Sequence, residues 1–416
     1  MVRRTLLFGL VASAACRPRQ PDAQLVAQWL RTSMAAAQAD QMGPATATRL
    51  SAYSAVTLHE GFASDPQSGL RSLAGQMNGL WSVPVVAANQ PVDGATVAAE
   101  AVRIVLDSLL GGGMANGRRM MDSLAIAQIE KRRRAGVGNE LRLRSITHGR
   151  GVADAVLAWA ATDRSLAAQM ASRSSPAENS PNPSWGTLRT FALRNGDECA
   201  PPPPPKYSER RGSDFWTMGR EMYDSASALT PEKRTIALFW ADAPTSTATA
   251  AFHWMSAVNQ VIASRSLTAD QAVEAYALTS VAIADAFAGS WKEKYRSRVL
   301  RPEAYVHRVL DAQWTPLVTT PASPEYPSDH SVVSGAAAEV LITLLGDSTV
   351  FTDSAATSAG ASARTYRGFS HARDEAALAG IYGGTQFVPG TVQGLAQGRC
   401  IGQRVRARLR TRSDLQ

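Results

Sequence analysis

The sequence predicts an all-α protein. Three observations carry that reading: apolar residues recur at helical spacing through long segments, alternating strand patterns are scarce, and no repeat of fixed period is evident. In chain order the helical patterns are AQLVAQWLRTSMAAAQA near the start, TVAAEAVRIVLDSLLGG (96–112), GVADAVLAWAATD (151–163) and ADQAVEAYALTSVAIADAFAGSWKEKY (269–295). A last apolar, alanine-rich run, SVVSGAAAEVLITLLG, follows PEYPSDHS (324–331). There two prolines hold the approach extended and Ser328 or Asp329 is placed to cap the helix. A seam falls at residues 171–206, where SRSSPAENSPNPSW and CAPPPPPK interrupt the pattern, and the proline run is read as a linker or as a strap laid across the body. The expected organisation is an export segment at 1–16, an N-terminal helical half at 17–195 and a C-terminal helical domain at 196–416.

With 416 residues, 45% hydrophobic and 19% charged, the chain can bury one large core or two modest ones. The 43 basic against 35 acidic residues give a net charge of +8, but the basic residues are scattered, with short runs such as KRRR (131–134) and RVRARLRTR (404–412). They are not interleaved with aromatics as on a nucleic-acid module, so no nucleic-acid partner is expected. MVRRTLLFGLVASAAC reads as an export signal, with cleavage after Ala14 or a lipid on Cys16; exported, periplasmic or outer-envelope localisation follows, with a lipid the expected route to a membrane. No later apolar stretch of about eighteen residues suggests a membrane span. Cys199 and Cys400 then remain, either joined in an oxidising compartment or as two buried thiols.

Lys294 and Arg301 stand seven residues apart at the end of WKEKYRSRVLRP. At about 100° per residue, two turns of helix point both the same way, and Pro302 is expected to stop that helix. Pro327-Ser328-Asp329-His330 then opens the next helix, whose free N–H groups with the two cations form a cradle for a tetrahedral oxyanion. His330 is the acid/base candidate. A Ser328–His330–Asp329 triad is not supported, because neighbours on one segment do not point at one another. His59, His148, His253 and His307 lie singly on helical patterns and read as structural, and no HExxH, CxxC or glycine-rich phosphate loop appears.

This combination resembles the vanadium-dependent haloperoxidases and the type 2 phosphatidic acid phosphatase superfamily that contains them, especially the soluble bacterial branch. That pattern runs K-x6-R-P, P-S-G-H, then S-R-x5-H. Lys294-x6-Arg301-Pro302 fits the first part, PSDH (327–330) departs by one residue, and RTYRGFSHARDEAALAGIYGGTQF and YSERRGSDFWTMGREMYDSASALTPEKRTIALFWAD extend the likeness over most of the chain. The resemblance implies a helical bundle, vanadate as cofactor, and halide oxidation by hydrogen peroxide or hydrolysis of phosphate esters. Lys294, Arg301, Ser328 and residue 329 would hold the oxyanion. Aligning IYGG puts Gly380 where the family has its anion-gripping arginine and Gln386 where it has the histidine that binds vanadium or attacks phosphorus.

Neither replacement imitates its predecessor. Glycine has no side chain, and a carboxamide nitrogen has no basic lone pair with which to bind a metal or act as a nucleophile, so no metal ligand is expected. His371 and Arg373, the nearest substitutes in sequence, lie on the order of 20 Å and 10 Å away along a continuous helix. Asp329 either turns its carboxylate into the cradle or serves as a plain cap facing away. Three functions remain: an exported enzyme with altered or weak chemistry that still binds a small oxyanion such as vanadate or phosphate, a non-catalytic relative that binds another small-molecule ligand or a partner and has no oxyanion affinity, and a structural envelope protein.

Overall fold

The computed structural model describes residues 22–39, 42–110, 115–163, 183–241, 250–356 and 361–412. The export segment with Ala14 and Cys16, and residues 171–182 of the seam, lie outside the described residues. The all-α expectation holds. In chain order come α1 (Gln24–Ala39), α2 (Pro44–Ala63), α3 (Gly94–Leu110), α4 (Ala115–Arg134), α5 (Asn139–Ala161), a 3-10 turn (Pro183–Thr187), α6 (Asp214–Ser227), α7 (Pro231–Phe239), α8 (Ala250–Ser264), α9 (Ala269–Ser297), α10 (Pro302–Val309), α11 (Asp329–Leu345), α12 (Phe369–Tyr382) and α13 (Val388–Arg408). β1 (Phe351–Asp353) and β2 (Arg364–Tyr366) form an antiparallel pair before α12.

Local chemistry sets the helix ends. Thr268 opens α9 with a capping box shared with Gln271, Ser213 and Thr230 cap α6 and α7, and Ser328 caps α11. α9 is the axis of the molecule, packed against α2, α11 and α13, and its interior from Ala272 to Trp291 is buried throughout. An eighteen-residue window of α9 is long and apolar enough to cross a membrane, contrary to the sequence expectation, yet it is wholly enclosed by protein. Its apolarity serves a helix buried on every side.

One apolar cluster runs from Ala23 to Leu409, so the two halves share a core. The buried Asp285 of α9 ties them further by accepting from the main-chain N–H groups of Phe191, Ala192 and Leu193. A smaller cluster of Phe215, Met218, Met222, Tyr305, Tyr326 and Phe387 fills the space between α6, α10 and the start of α13. The proline run is a strap over that cluster: Tyr326 donates its hydroxyl to Pro202 O, and Tyr305 donates to Ser208 O at 2.9 Å. Cys199, just before the strap, is joined to Cys400 of α13.

The helix carrying Lys294 ends earlier than the sequence suggests. Arg298 takes the left-handed conformation (φ 50°) and closes α9, so Arg301 is not on that helix but is the N-cap residue of α10. Pro302 starts a helix instead of stopping one, because at the first helical position its fixed φ helps and its missing N–H costs nothing.

Candidate active site

α11 and α13 bring the cradle together because small residues let their backbones touch. A Cβ at Gly394 would stand 2.8 Å from Ser328 O, and one at Gly335 would stand 3.1 Å from Gly398 Cα. Ser328 N also donates to Gly390 O at 3.0 Å, which sets the start of α11 beside the start of α13. The last turn of α9 delivers Lys294 to this corner, fully buried.

All the expected residues except the distant substitutes converge there, but the cations are already engaged by protein. Lys294 Nζ donates to Pro324 O at 3.0 Å and Glu325 O at 3.1 Å, and stands 3.2 Å from Asp329 Oδ1. That is one partner for each of its three N–H bonds. Asp329 therefore points into the cradle, while Ser328 takes the capping role by accepting from Ser331 N at 3.3 Å. Arg301 donates from Nε to Ser323 O at 2.5 Å, from Nη2 to Ser323 Oγ at 2.6 Å and from Nη1 to Thr385 O at 3.2 Å. His330 lies half-buried in the first turn of α11.

Gly380 and Gln386 meet as their spacing implies. Thr385 N and Gln386 N both donate to Gly380 O, at 2.9 and 3.1 Å, and a Cβ on Gly380 would stand 2.6 Å from Gln386 Cγ. The Gln386 side chain thus lies against the space a larger residue at 380 would need. With its carboxamide oriented to satisfy both neighbours, its nitrogen donates to Glu325 Oε1 at 2.8 Å and its oxygen accepts from Arg301 Nη1 at 2.9 Å. His371 instead accepts from Arg367 N at 3.4 Å with its ring edge on Tyr366, and Arg373 pairs with Asp374 at 2.7 Å. His253 meets Asp353 at 2.7 Å, His148 meets Ser64 Oγ at 3.1 Å, His307 meets Trp314 O at 2.6 Å, and His59 is buried beside Glu60, so none of these joins the cradle.

Glu325 is the participant that sequence reasoning missed. It is buried, accepts from Phe387 N at 2.9 Å as well as from Gln386, and so braces the turn into α13 against the approach to α11. Its signal was present: an acidic residue between two prolines, on a strip heading into an apolar interior.

Burial pushes the Glu325 carboxyl up to about 7, against the pull of the Phe387 N–H, Lys294 and Arg301. Burial draws Lys294 down to about 8, with Asp329 resisting. Burial also acts to raise Asp329, but Lys294, His330 and Arg301 outweigh it and hold that carboxyl well below its usual range. These shifts give the two acids opposite pH behaviour. Asp329 adds stability at neutral pH that is lost as pH falls through its depressed pKa. Glu325, raised from 4.5 to about 7, favours the folded state below about pH 4.5, and that contribution is lost as pH rises through 7. Glu325→Gln keeps an acceptor for Phe387 N without the titration. Its unfolding free energy is expected to gain on wild type by up to about 3 kcal/mol between pH 4.5 and 8. Urea unfolding at both pH values checks this, and parallel curves would mean the Glu325 carboxyl is not raised.

The corner where buried Lys294, Arg301 and two adjoining helix N-termini meet is the place that the resemblance to the haloperoxidase and phosphatidic acid phosphatase superfamily gives to the oxyanion. Residues 274–414 match the family model described as the VCPO second helical-bundle domain. A solved structure of a bacterial vanadium-dependent iodoperoxidase is 31% identical, superposes with a TM-score of 0.83, and covers 96% of this chain and 99% of its own. The chain belongs to the vanadium haloperoxidase family. Holo- and apo-type structures of a bacterial vanadium-dependent chloroperoxidase, at 13% and 12% identity, share the fold with TM-scores of 0.65 and 0.62 over 88% of this chain and 93% and 95% of theirs. No curated protein matches the sequence.

Proposed function

We propose that this protein is an exported member of the family that no longer turns over halide or phosphate ester, its bound oxyanion replaced by the protein's own Asp329 and its helical body retained for non-catalytic binding. The observation that carries the reading is the Asp329 carboxylate 3.2 Å from Lys294 Nζ, in the corner where the family pattern has glycine.

The residues present do not fit vanadate. Lys294 and Arg301 donate to Asp329, Gln386, Ser323 Oγ and main-chain oxygens. Gln386 offers no imidazole nitrogen to a metal, and Gly380 offers no guanidinium to an anion. A second anion would also meet Asp329 at close range, where like charges about 4 Å apart repel by on the order of 4 kcal/mol at an effective dielectric near 20. Export is supported by the leading sixteen residues and by the Cys199–Cys400 bridge, which suits an oxidising compartment.

Purified protein incubated with orthovanadate, then given hydrogen peroxide with bromide or with iodide, is expected to leave a phenolic dye unhalogenated, and p-nitrophenyl phosphate is expected to remain intact. Halogenation at the rate of a working haloperoxidase assayed in parallel would overturn the proposal.

A further inference from the structure

Asparagine followed by glycine occurs three times in the chain, at 78–79, 116–117 and 195–196. The pair is chemically weak, because glycine has no side chain to keep its own main-chain nitrogen away from the preceding carboxamide. The fold treats the three differently. Asn78 Nδ2 donates to Thr190 O at 2.8 Å and to Leu193 O at 2.6 Å, which fixes that carboxamide. Asn116 lies in the first turn of α4, where helical dihedrals hold the main chain. Asn195 is exposed, in the turn that leads into the proline strap.

Two features of that turn favour attack on the Asn195 side chain. Gly196 N donates to no other group among the described residues, so no hydrogen bond holds its proton. Asn195 Oδ1 accepts from Asp197 N at 2.8 Å. That bond closes a ring that keeps Asn195 Cγ and Gly196 N together, and it places a donor on the oxygen that turns negative when Cγ is attacked. Asn195 O also accepts from Glu198 N at 3.3 Å, which maintains the turn. The turn is anchored on both sides, by Asp285 on the N–H groups of residues 191–193 before it and by the Cys199–Cys400 bridge after it. Between those anchors Gly196 lies against α9, where a Cβ would stand 3.1 Å from Lys292 Cδ and 3.7 Å from Gly289 Cα.

We propose that Asn195 is a site of self-modification, converted to aspartate and isoaspartate by the main-chain nitrogen of Gly196. Gly196 N attacks Asn195 Cγ and forms the N–C bond of a cyclic imide. The Cγ–Nδ2 bond breaks, and ammonia leaves with the proton from Gly196 N. Water then opens the imide at either carbonyl. Opening at the main-chain carbonyl gives isoaspartate, which routes the chain through the side-chain carbons and lengthens it by one carbon between the anchors at Asp285 and Cys199. Either product adds a carboxylate beside Asp197, which pairs with Lys292 and Arg296, and Glu198, which pairs with Arg408. The modification therefore falls on the joint that fastens the strap to α9 and α13.

Full-length protein is aged at mildly alkaline pH in buffer and in urea, and the three sites are followed by peptide mapping with mass spectrometry. In urea, where only the dipeptide matters, Asn78, Asn116 and Asn195 are expected to convert at similar rates. In the folded protein Asn195 is expected to lead the other two by about tenfold or more, because their conversion waits on local opening. Gly196→Ala, whose added Cβ hinders approach of the nitrogen, and Asn195→Gln, which cannot close the same ring, are each expected to slow conversion at 195 by about tenfold or more. Asn78 and Asn116 should be unaffected in both variants. An Asn195 that stays intact in the folded protein while the chain in urea converts, folded rates in the same proportions as in urea, or undiminished conversion at 195 in both variants would each overturn the proposal.

Discussion

Gly380→Arg, Gln386→His and Asp329→Gly made together should raise vanadate affinity over the wild-type chain on the order of a thousandfold or more. Removing Asp329 frees Lys294 and abolishes a like charge worth on the order of 4 kcal/mol before solvent screening, which matters because that side chain is 28% exposed. A guanidinium at 380 adds charge-assisted hydrogen bonds of about 1.5–3 kcal/mol. The imidazole at 386 supplies the donor atom that a carboxamide cannot. The three changes act on one ligand and should be more than additive, with Gln386→His alone doing little while Asp329 still occupies the cradle. Gly380→Arg alone should lower the melting temperature, because its Cβ would stand 2.6 Å from Gln386 Cγ until residue 386 turns aside. Vanadium NMR or calorimetry reads the affinity. A triple variant with unchanged helical circular dichroism that binds no better than wild type would show that this corner is not an oxyanion site in waiting.

Removal of the Cys199–Cys400 bridge should be the largest single loss of stability. It spans 201 residues of sequence, and the chain-entropy model assigns a loop of that length about 5 kcal/mol, an upper figure because the unfolded chain keeps some structure. The same neighbourhood holds ion pairs from Glu198 to Arg408 and from Asp197 to Lys292, so the helices should stay docked at room temperature while the unfolding midpoint falls. Cys199→Ser/Cys400→Ser and reduced wild type should share that lower midpoint in urea. A double variant that unfolds where oxidised wild type does would mean the bridge constrains nothing.

The sequence by itself determined that the chain is helical, and it located α1, α3, α9, α11 and the second half of α5, since periodicity and caps are local properties of the chain, while α2, α4 and α13 went unmarked. It marked Lys294, Arg301, Ser328, Asp329, His330, Gly380 and Gln386 as one set, because motif spacing survives even where residue identity has changed. It also left Cys199 and Cys400 as the pair to be joined.

Only the tertiary structure decided which way Asp329 faces, since capping and ion pairing were equally open until Lys294 Nζ came within 3.2 Å of it. Only there did Arg301 leave its expected helix, because Arg298 takes the left-handed conformation that closes α9 and Arg301 becomes the N-cap residue of α10. The same holds for Glu325, whose partners Gln386 and Phe387 lie some sixty residues further along the chain. Helical periodicity is written within a few turns of sequence, whereas the partner of a buried charge is set by whichever distant segment the core brings beside it, and burial then makes that partner obligatory.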